Sequence, residues 1–344
     1  MGNANQWQTM IQNMIGIIGS GSWATAIVKI LLERSSRKVN WWVRSEETRE
    51  KIARDGRNPR HLPEAVLDAG RIQVSTDLRG VIADSTHLLL AIPSAYLHQV
   101  LDPLPETAFA GKKIISAIKG SVPDCVTSVS IYMQQRFGVS HDDICVVSGP
   151  SHAEEVCREM PTFLTVASAN IVLADEVAAM LRCRYLHTRT TADIDGVERC
   201  GLAKNIYAIA AGICQGLDYG DNLNAVLTAA AMREIHNLLD HNLPFPDRNI
   251  YDSYYMGDLV VTCWSRHSRN RALGEAVAKG EKPAEVFART GSVAEGYYSV
   301  KNLHQLATAQ GMLDKMPIAE TVYRILYEDA EPRAAMEYLI DNVF

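Results

Sequence analysis

The chain has no C-x-x-C pair, although it carries seven cysteines: Cys125, Cys145, Cys157, Cys183, Cys200, Cys214 and Cys263. The count is odd and several lie in apolar runs. That argues against a disulfide or zinc framework and reads as reduced core thiols of a cytoplasmic protein. The 10 histidines show no metal-ligand spacing and none sits beside a Ser–Asp pair, so no metal is expected and triad chemistry has no support. His152 and His187 read as structural. No run of about 18 apolar residues occurs, so no membrane span is expected. Residues 1–13 have neither the basic nor the apolar region of a secretory signal, and Gln6 stands where a myristoylation site takes Ser or Thr. They read as a polar tail. A basic balance is also missing. The net charge of −6 argues against nucleic acid, so any anionic ligand must be held by local cations.

What the chain does have is 344 residues, 47% apolar and 22% charged, enough for two domains with proper cores. Short β-type runs at 14–20, 38–44, 71–76, 87–93, 112–120 and 143–150 alternate with helical or loop segments, and 162–168 and 184–190 add one more pair. That alternation predicts a doubly wound, mostly parallel sheet of the Rossmann type. From about residue 191 onward no strand pattern is seen. Helical stretches at 196–215, 222–240, 268–279, 295–309 and 317–328 predict an all-α C-terminal domain. The expected division is a tail at 1–13, a dinucleotide-binding domain at 14–193 and a helical substrate-binding domain at 194–344.

Four local features point to chemistry. "GIIGSGSWATA" places Gly19, Gly21 and Ala24 in G-x-G-x-x-A form between a strand and a helix, the context in which this motif binds a dinucleotide pyrophosphate. Twenty residues after Ala24 stands Arg44, at the end of the second strand run, where NAD enzymes carry an acid. An arginine there suits a 2′-phosphate and favours NADPH over NADH, while the nearby Glu46 blurs the choice. A solvated arginine is the plain alternative. Lys119 ends the run "IISAIKG", on the side where open α/β sheets bind ligands.

Lys204 is the stronger signal. Wound at about 100° per residue, "GLAKNIYAIAAGIC" puts Leu202, Ile206, Ile209 and Ile213 on one side. Lys204 falls on another, among Cys200, Gly201, Ala208 and Ala211. A helix apolar nearly all round is expected to be buried, and an unpaired buried ammonium costs several kcal/mol. Further on, Ser268 reads as an N-cap and Gly280 as the glycine past the C-terminus. Arg269 and Asn270 then stand at a helix N-terminus, a natural phosphate site; a capped surface helix is the alternative. Asp258 in "MGDL" is a possible partner for a cation or a plain turn residue.

The motifs "GSGSWATA", "AIKGSVPD", "VVSGPSHAEEV", "GLAKNIYAIAAGI", "GDLVVTCWSRHSRNRALG" and "SVAEG" occur in this order. The set resembles bacterial-type NAD(P)-dependent glycerol-3-phosphate dehydrogenase, from about residue 14 to about residue 328. The resemblance implies reversible reduction of dihydroxyacetone phosphate to sn-glycerol 3-phosphate by NADPH or NADH, for phospholipid synthesis, with a homodimer as the expected assembly. It implies that Lys204 and Lys119 are catalytic. Gly149, Ser151, Asp258, Ser268, Arg269 and Asn270 would join both lysines around the substrate. Gly19, Gly21, Ser22, Trp23, Arg44, Lys119, Ala153, Arg269, Val293 and Glu295 would meet the cofactor. Departures are His152 in place of an aromatic residue, "TAAAMREI" without the usual Arg-Gly pair, and "NIYDSYYMGDL" in place of a glycine-rich lead. A β-hydroxyacid-type dehydrogenase of the same architecture and a non-catalytic dinucleotide sensor are the rival expectations.

Overall fold

The structure is a computed structural model that describes residues 14–33, 38–122 and 128–344; the tail read at 1–13 and Cys125 lie outside the described residues. Eight strands form one sheet: β1 (Ile15–Ile18), β2 (Val39–Trp42), β3 (Ile72–Ser75), β4 (His87–Leu90), β5 (Lys113–Ser116), β6 (Ile144–Ser148), β7 (Thr162–Ala167) and β8 (Leu186–Thr191). Their order is β3-β2-β1-β4-β5-β6-β7-β8, and all neighbours run parallel except β6 and β7. The order reverses between β1 and β4, and such a switch point opens a crevice at the strands' carboxyl ends.

The strands read as continuous apolar runs because both faces are covered. Successive side chains alternate between faces. Ile15, Ile17, Leu89 and Ile115 therefore enter one core, while Ile18, Leu88, Leu90 and Ile114 enter another that continues into the helical part. Around the sheet lie α1 (Ser22–Leu32), α2 (Glu46–Asp55), α3 (Leu78–Ala83), α4 (Leu97–Leu101), α5 (Val129–Phe137), α6 (Ala153–Cys157) and α7 (Ile171–Leu181). Two strands stop earlier than the apolar runs suggest. β5 ends at Ser116, so Lys119 lies beyond the strand rather than ending it, and its carbonyl bonds Asn205 instead of a strand neighbour. Arg44 likewise lies past Trp42, the last residue of β2.

After Thr191 the described chain is helical: α8 (Ile194–Gly216), α9 (Gly220–Asn242), α10 (Asp258–Trp264), α11 (Arg269–Ala278), α12 (Pro283–Thr290), α13 (Glu295–Ala309), α14 (Pro317–Tyr327) and α15 (Pro332–Asn342). α8 is the hub. It packs against α9, α10, α11, α13, α14 and β6, which is why its sequence is apolar all round. Its tightest neighbour is α11, where Gly212 and Gly274 let the backbones touch. A side chain at Gly274 would run into the carbonyl of Ile209, and such overpacking costs about 1–3 kcal/mol. The sequence reading missed three short helices, α10, α12 and α15, although Pro283 and the left-handed Gly291 bracket α12.

Candidate active site

Lys204, on α8, is 2% exposed, and Asp258, the first residue of α10, is 1% exposed. They form a close ion pair through Asp258 Oδ2. The same oxygen accepts from the Ser148 hydroxyl at 3.0 Å, the Gly149 N–H at 3.1 Å and the Lys119 ammonium at 3.3 Å. This answers why an apolar helix carries a lysine: the charge is buried, but paired. Removing one partner of such a pair typically costs about 3–5 kcal/mol. Burial alone would raise the Asp258 pKa. The Lys119 and Lys204 charges outweigh it and hold the carboxylate below its ordinary value.

Lys119 also donates to the Gly149 carbonyl at 3.0 Å, which accepts the Ser151 hydroxyl at 2.9 Å as well. Burial pushes the Lys119 ammonium down to about 8; Asp258 opposes the shift and Lys204 adds to it. With 23% of its side chain still exposed, Lys119 is the lysine that faces the crevice. Two ammonium groups on one carboxylate leave an excess positive charge there for an anionic or polarised ligand. Beside them His152 is half-buried, with its ring 5.7 Å from that of His267. Burial, then the Lys119 charge, lowers its pKa.

The N-terminus of α11 comes up to this cluster. Ser268 caps it, its Oγ accepting from the Arg271 N–H at 3.2 Å, and Gly280 follows the helix with φ of 93°. Asn270 points inward. Its Oδ1 accepts from the Gly296 N–H at 2.9 Å and its Nδ2 donates to Asn205 Oδ1 at 2.8 Å, while Asn205 donates to the Lys119 carbonyl at 2.6 Å. Asn270 is thus, through Asn205, a strut between α13 and the segment that follows β5, with one amide hydrogen left over. Arg269 is exposed and, among the described residues, makes no hydrogen bond or ion pair. Its charge reaches both Glu295 and His61. Glu295 opens α13, and its carboxylate accepts from the Ser94 N–H at 3.0 Å and from the Ser94 hydroxyl. Burial raises the Glu295 pKa against those bonds. A side chain at Gly120 would strike this carboxylate, so α13 lies over the carboxyl ends of β4 and β5. Val293 is half-buried in the turn before it.

On the other side of the switch point stands the glycine loop. Gly19 has φ of 131°, and a Cβ there would lie 2.5 Å from the Ala91 carbonyl oxygen, so glycine is required. Trp41 Nε1 donates to the Gly19 carbonyl at 2.6 Å, and Asn58 donates to the Ser20 carbonyl and to Thr25 Oγ1, both at 2.9 Å. Gly21 is the N-cap of α1 with open space in place of a side chain. No side chain caps α1, and no acidic residue stands in the first turn that Ser22 opens. The first N–H groups are therefore free for an anion. The buried indole N–H of Trp23 has no protein acceptor. These features fit a dinucleotide. Ala153 starts α6, which packs on α1. Arg44 is exposed and without a partner among the described residues. Glu46, its possible competitor, is engaged with Arg49 and with Thr76 Oγ1 at 3.2 Å.

Four contributors escaped the sequence reading: Ser148, Ser94, Asn58 and the bonding of Asn205. Ser148 and Ser94 had a faint signal, each a hydroxyl where an apolar strand run ends at the crevice. Asn58 had none. Among the described residues no His, Cys, Asp and Glu cluster could hold a metal, and no helix is long and apolar enough to cross a membrane.

A dinucleotide-type loop and an acid-clamped lysine pair on one carboxyl edge define an NAD(P)-dependent oxidoreductase. Family models narrow this. Residues 14–174 match the N-terminal part of NAD-dependent glycerol-3-phosphate dehydrogenase, and residues 193–337 match its C-terminal part. A glycerol-3-phosphate dehydrogenase (NAD(P)+) of Lysinibacillus sphaericus is 35% identical over 330 residues, covering 94% of this chain and 95% of that protein. One from Leptospira biflexa is 35% identical over 95% of this chain and 97% of its own. The crystal structure of glycerol-3-phosphate dehydrogenase from Coxiella burnetii superposes with a TM-score of 0.87 at 30% identity, covering 96% of this chain and 100% of that one. The chain belongs to the NAD-dependent glycerol-3-phosphate dehydrogenase family.

Proposed function

We propose that this chain catalyses the reversible reduction of dihydroxyacetone phosphate to sn-glycerol 3-phosphate with NADPH or NADH, NADPH being favoured, and so supplies the glycerophospholipid backbone. The observation that carries the reading is the Lys204–Asp258–Lys119 cluster, two ammonium groups on one buried carboxylate at the crevice. When bound, the nicotinamide supplies hydride to the C2 carbonyl carbon. Negative charge then grows on the carbonyl oxygen. Lys204 delivers a proton to it, and the Lys119 charge stabilises it. Asp258, with Ser148 and the Gly149 N–H, holds the lysines in place. Gly149 and Ser151 line the substrate, and Arg269 with Ser268 and Asn270 at the N-terminus of α11 holds the phosphate.

Gly19, Gly21, Ser22 and Trp23 take the pyrophosphate side of the cofactor, Arg44 the 2′-phosphate, and Ala153, Val293 and Glu295 the remaining faces. The division into a dinucleotide-binding part up to 193 and a substrate-binding part from 194 belongs to the same proposal. So do a homodimeric state and residence in the cytoplasm; the six described cysteines are all free, as a reducing compartment requires.

The test is loss of absorbance at the nicotinamide band with a panel of ketone phosphates and keto acids. Fast oxidation with dihydroxyacetone phosphate alone is the expected result. Preference for a keto acid would move the chain to the β-hydroxyacid type. NADPH binding without turnover of any panel member would make it a sensor.

A further inference from the structure

We propose that Tyr255, acting with Arg248 and Asp193, is a positioning residue for the reaction: the three hold the turn that delivers Asp258 to the two lysines. The inference rests on the dehydrogenase reading above. The segment concerned is "NIYDSYYMGDL", where the family resemblance leads one to expect a glycine-rich lead. Here Ser253–Gly257 form a π-helical turn that runs straight into Asp258. Such turns are rare and frequently lie at functional sites.

Tyr255 is fully buried, and its hydroxyl donates to Asp193 Oδ2. Arg248 grips the same carboxylate as a fork, Nε to Oδ2 at 2.7 Å and an Nη to Oδ1 at 2.9 Å. The Arg248 and Asp193 side chains are 3% and 4% exposed, so this is a desolvated anchor and not a surface pair. Asp193 has a further task. It is the N-cap of α8, accepting the Gly196 N–H at 3.2 Å. The carboxylate that starts the Lys204 helix is therefore also the anchor of the turn that presents Asp258. Gly196 makes the approach possible, since a Cβ there would lie 2.6 Å from the Tyr255 hydroxyl.

Lys204 and Asp258 are thus tied together twice, once by their own ion pair and once by the Asp193 anchor behind them. Four donors converge on Asp258 Oδ2. A displacement of the turn loosens all of them together.

The experiment uses the full chain carrying Tyr255→Phe, which deletes only the hydroxyl, with Arg248→Lys as a second variant that keeps the charge and loses the fork. NADPH binding, followed by fluorescence, serves as the check of folding. The expected result is a kcat with dihydroxyacetone phosphate lower by between about tenfold and about a hundredfold, the range a misplaced catalytic group produces, with KM for NADPH unchanged. Asp258 opposes the fall in the Lys119 pKa, so a looser Asp258 also moves the alkaline limb of the rate profile to lower pH. Wild-type kcat and pH profile with only a lowered Tm would reduce the anchor to a structural bond and overturn the inference. If Tyr255→Phe does not fold, Arg248→Lys reads the same quantities. A wild-type chain that turns over no ketone phosphate overturns the dehydrogenase reading and this inference with it, an outcome visible before any variant is made.

Discussion

The two ends of the crevice are built on opposite rules. Around Lys204 the charges are buried and paired, with two ammonium groups, a hydroxyl and a backbone N–H on one carboxylate oxygen. Past β2 and at the N-terminus of α11, Arg44 and Arg269 are exposed and lack partners among the described residues. Physics accounts for the contrast. A buried charge without a partner is too costly to keep, whereas an exposed arginine loses almost nothing by waiting in water. Under the proposed function the chemical end is assembled before any ligand arrives, and the ligand completes the ends that bind it.

The sharpest way to break this comparison is Lys204→Met, which keeps the length and removes the charge. Asp258 still has Lys119, Ser148 and the Gly149 N–H, so folding and NADPH binding should survive. Loss of the proton donor should lower the rate by about 10²–10⁴-fold. Single-turnover oxidation of NADPH with dihydroxyacetone phosphate measures it. A rate within a few fold of wild type would shift the donor role to Lys119.

The open ends should answer to smaller factors. Arg44→Asp is expected to weaken NADPH relative to NADH by about 10–150-fold, the worth of one charge-assisted contact. The comparison is made by cofactor titration, and an equal loss for both cofactors would take Arg44 out of the site. Arg269→Lys keeps the charge and loses the fork. A rise of about tenfold in KM for the phosphorylated ketone is expected; an unchanged KM would leave 268–270 a capped helix and nothing more.

The same contrast explains what could be read from the sequence. The glycine loop was legible because strand, turn and helix are neighbours in the chain, and their spacing is the signal. Lys204 stood out because it broke an apolar pattern. The ordered motifs then placed Lys119, Asp258 and Arg269. What holds these residues was not legible. The Asn205–Asn270–Gly296 relay joins α8, α11 and α13, and Asn58 reaches back to Ser20 and Thr25. Such bonds depend on which elements pack together, and a polar residue at either end carries no local mark of its partner. Asn270 illustrates the limit. Its place beside Arg269 suggests a ligand contact but says nothing of its bonds to Asn205 and Gly296, which leave one amide hydrogen for such a contact.

Lys119 stands between the two rules, paired with Asp258 yet 23% exposed, and it should show both behaviours in one titration. Burial pushes its ammonium down to about 8. Its charge is therefore present below that pH and lost above it. Attraction for the phosphorylated ketone should fall several-fold as pH rises through 8, seen as a rising KM. Stability should move the other way. Between about 8 and about 10.4 the unfolded chain, with its ordinary lysine, binds a proton that the folded chain has released. Stability from this group therefore increases with pH in that window. Lys119→Arg separates the effects, since a guanidinium stays charged throughout. In that variant the KM rise near pH 8 should disappear, and so should the stability gain above it. A KM rise that persists unchanged in Lys119→Arg would assign the titration to another group and return Lys119 to a purely structural partner of Asp258.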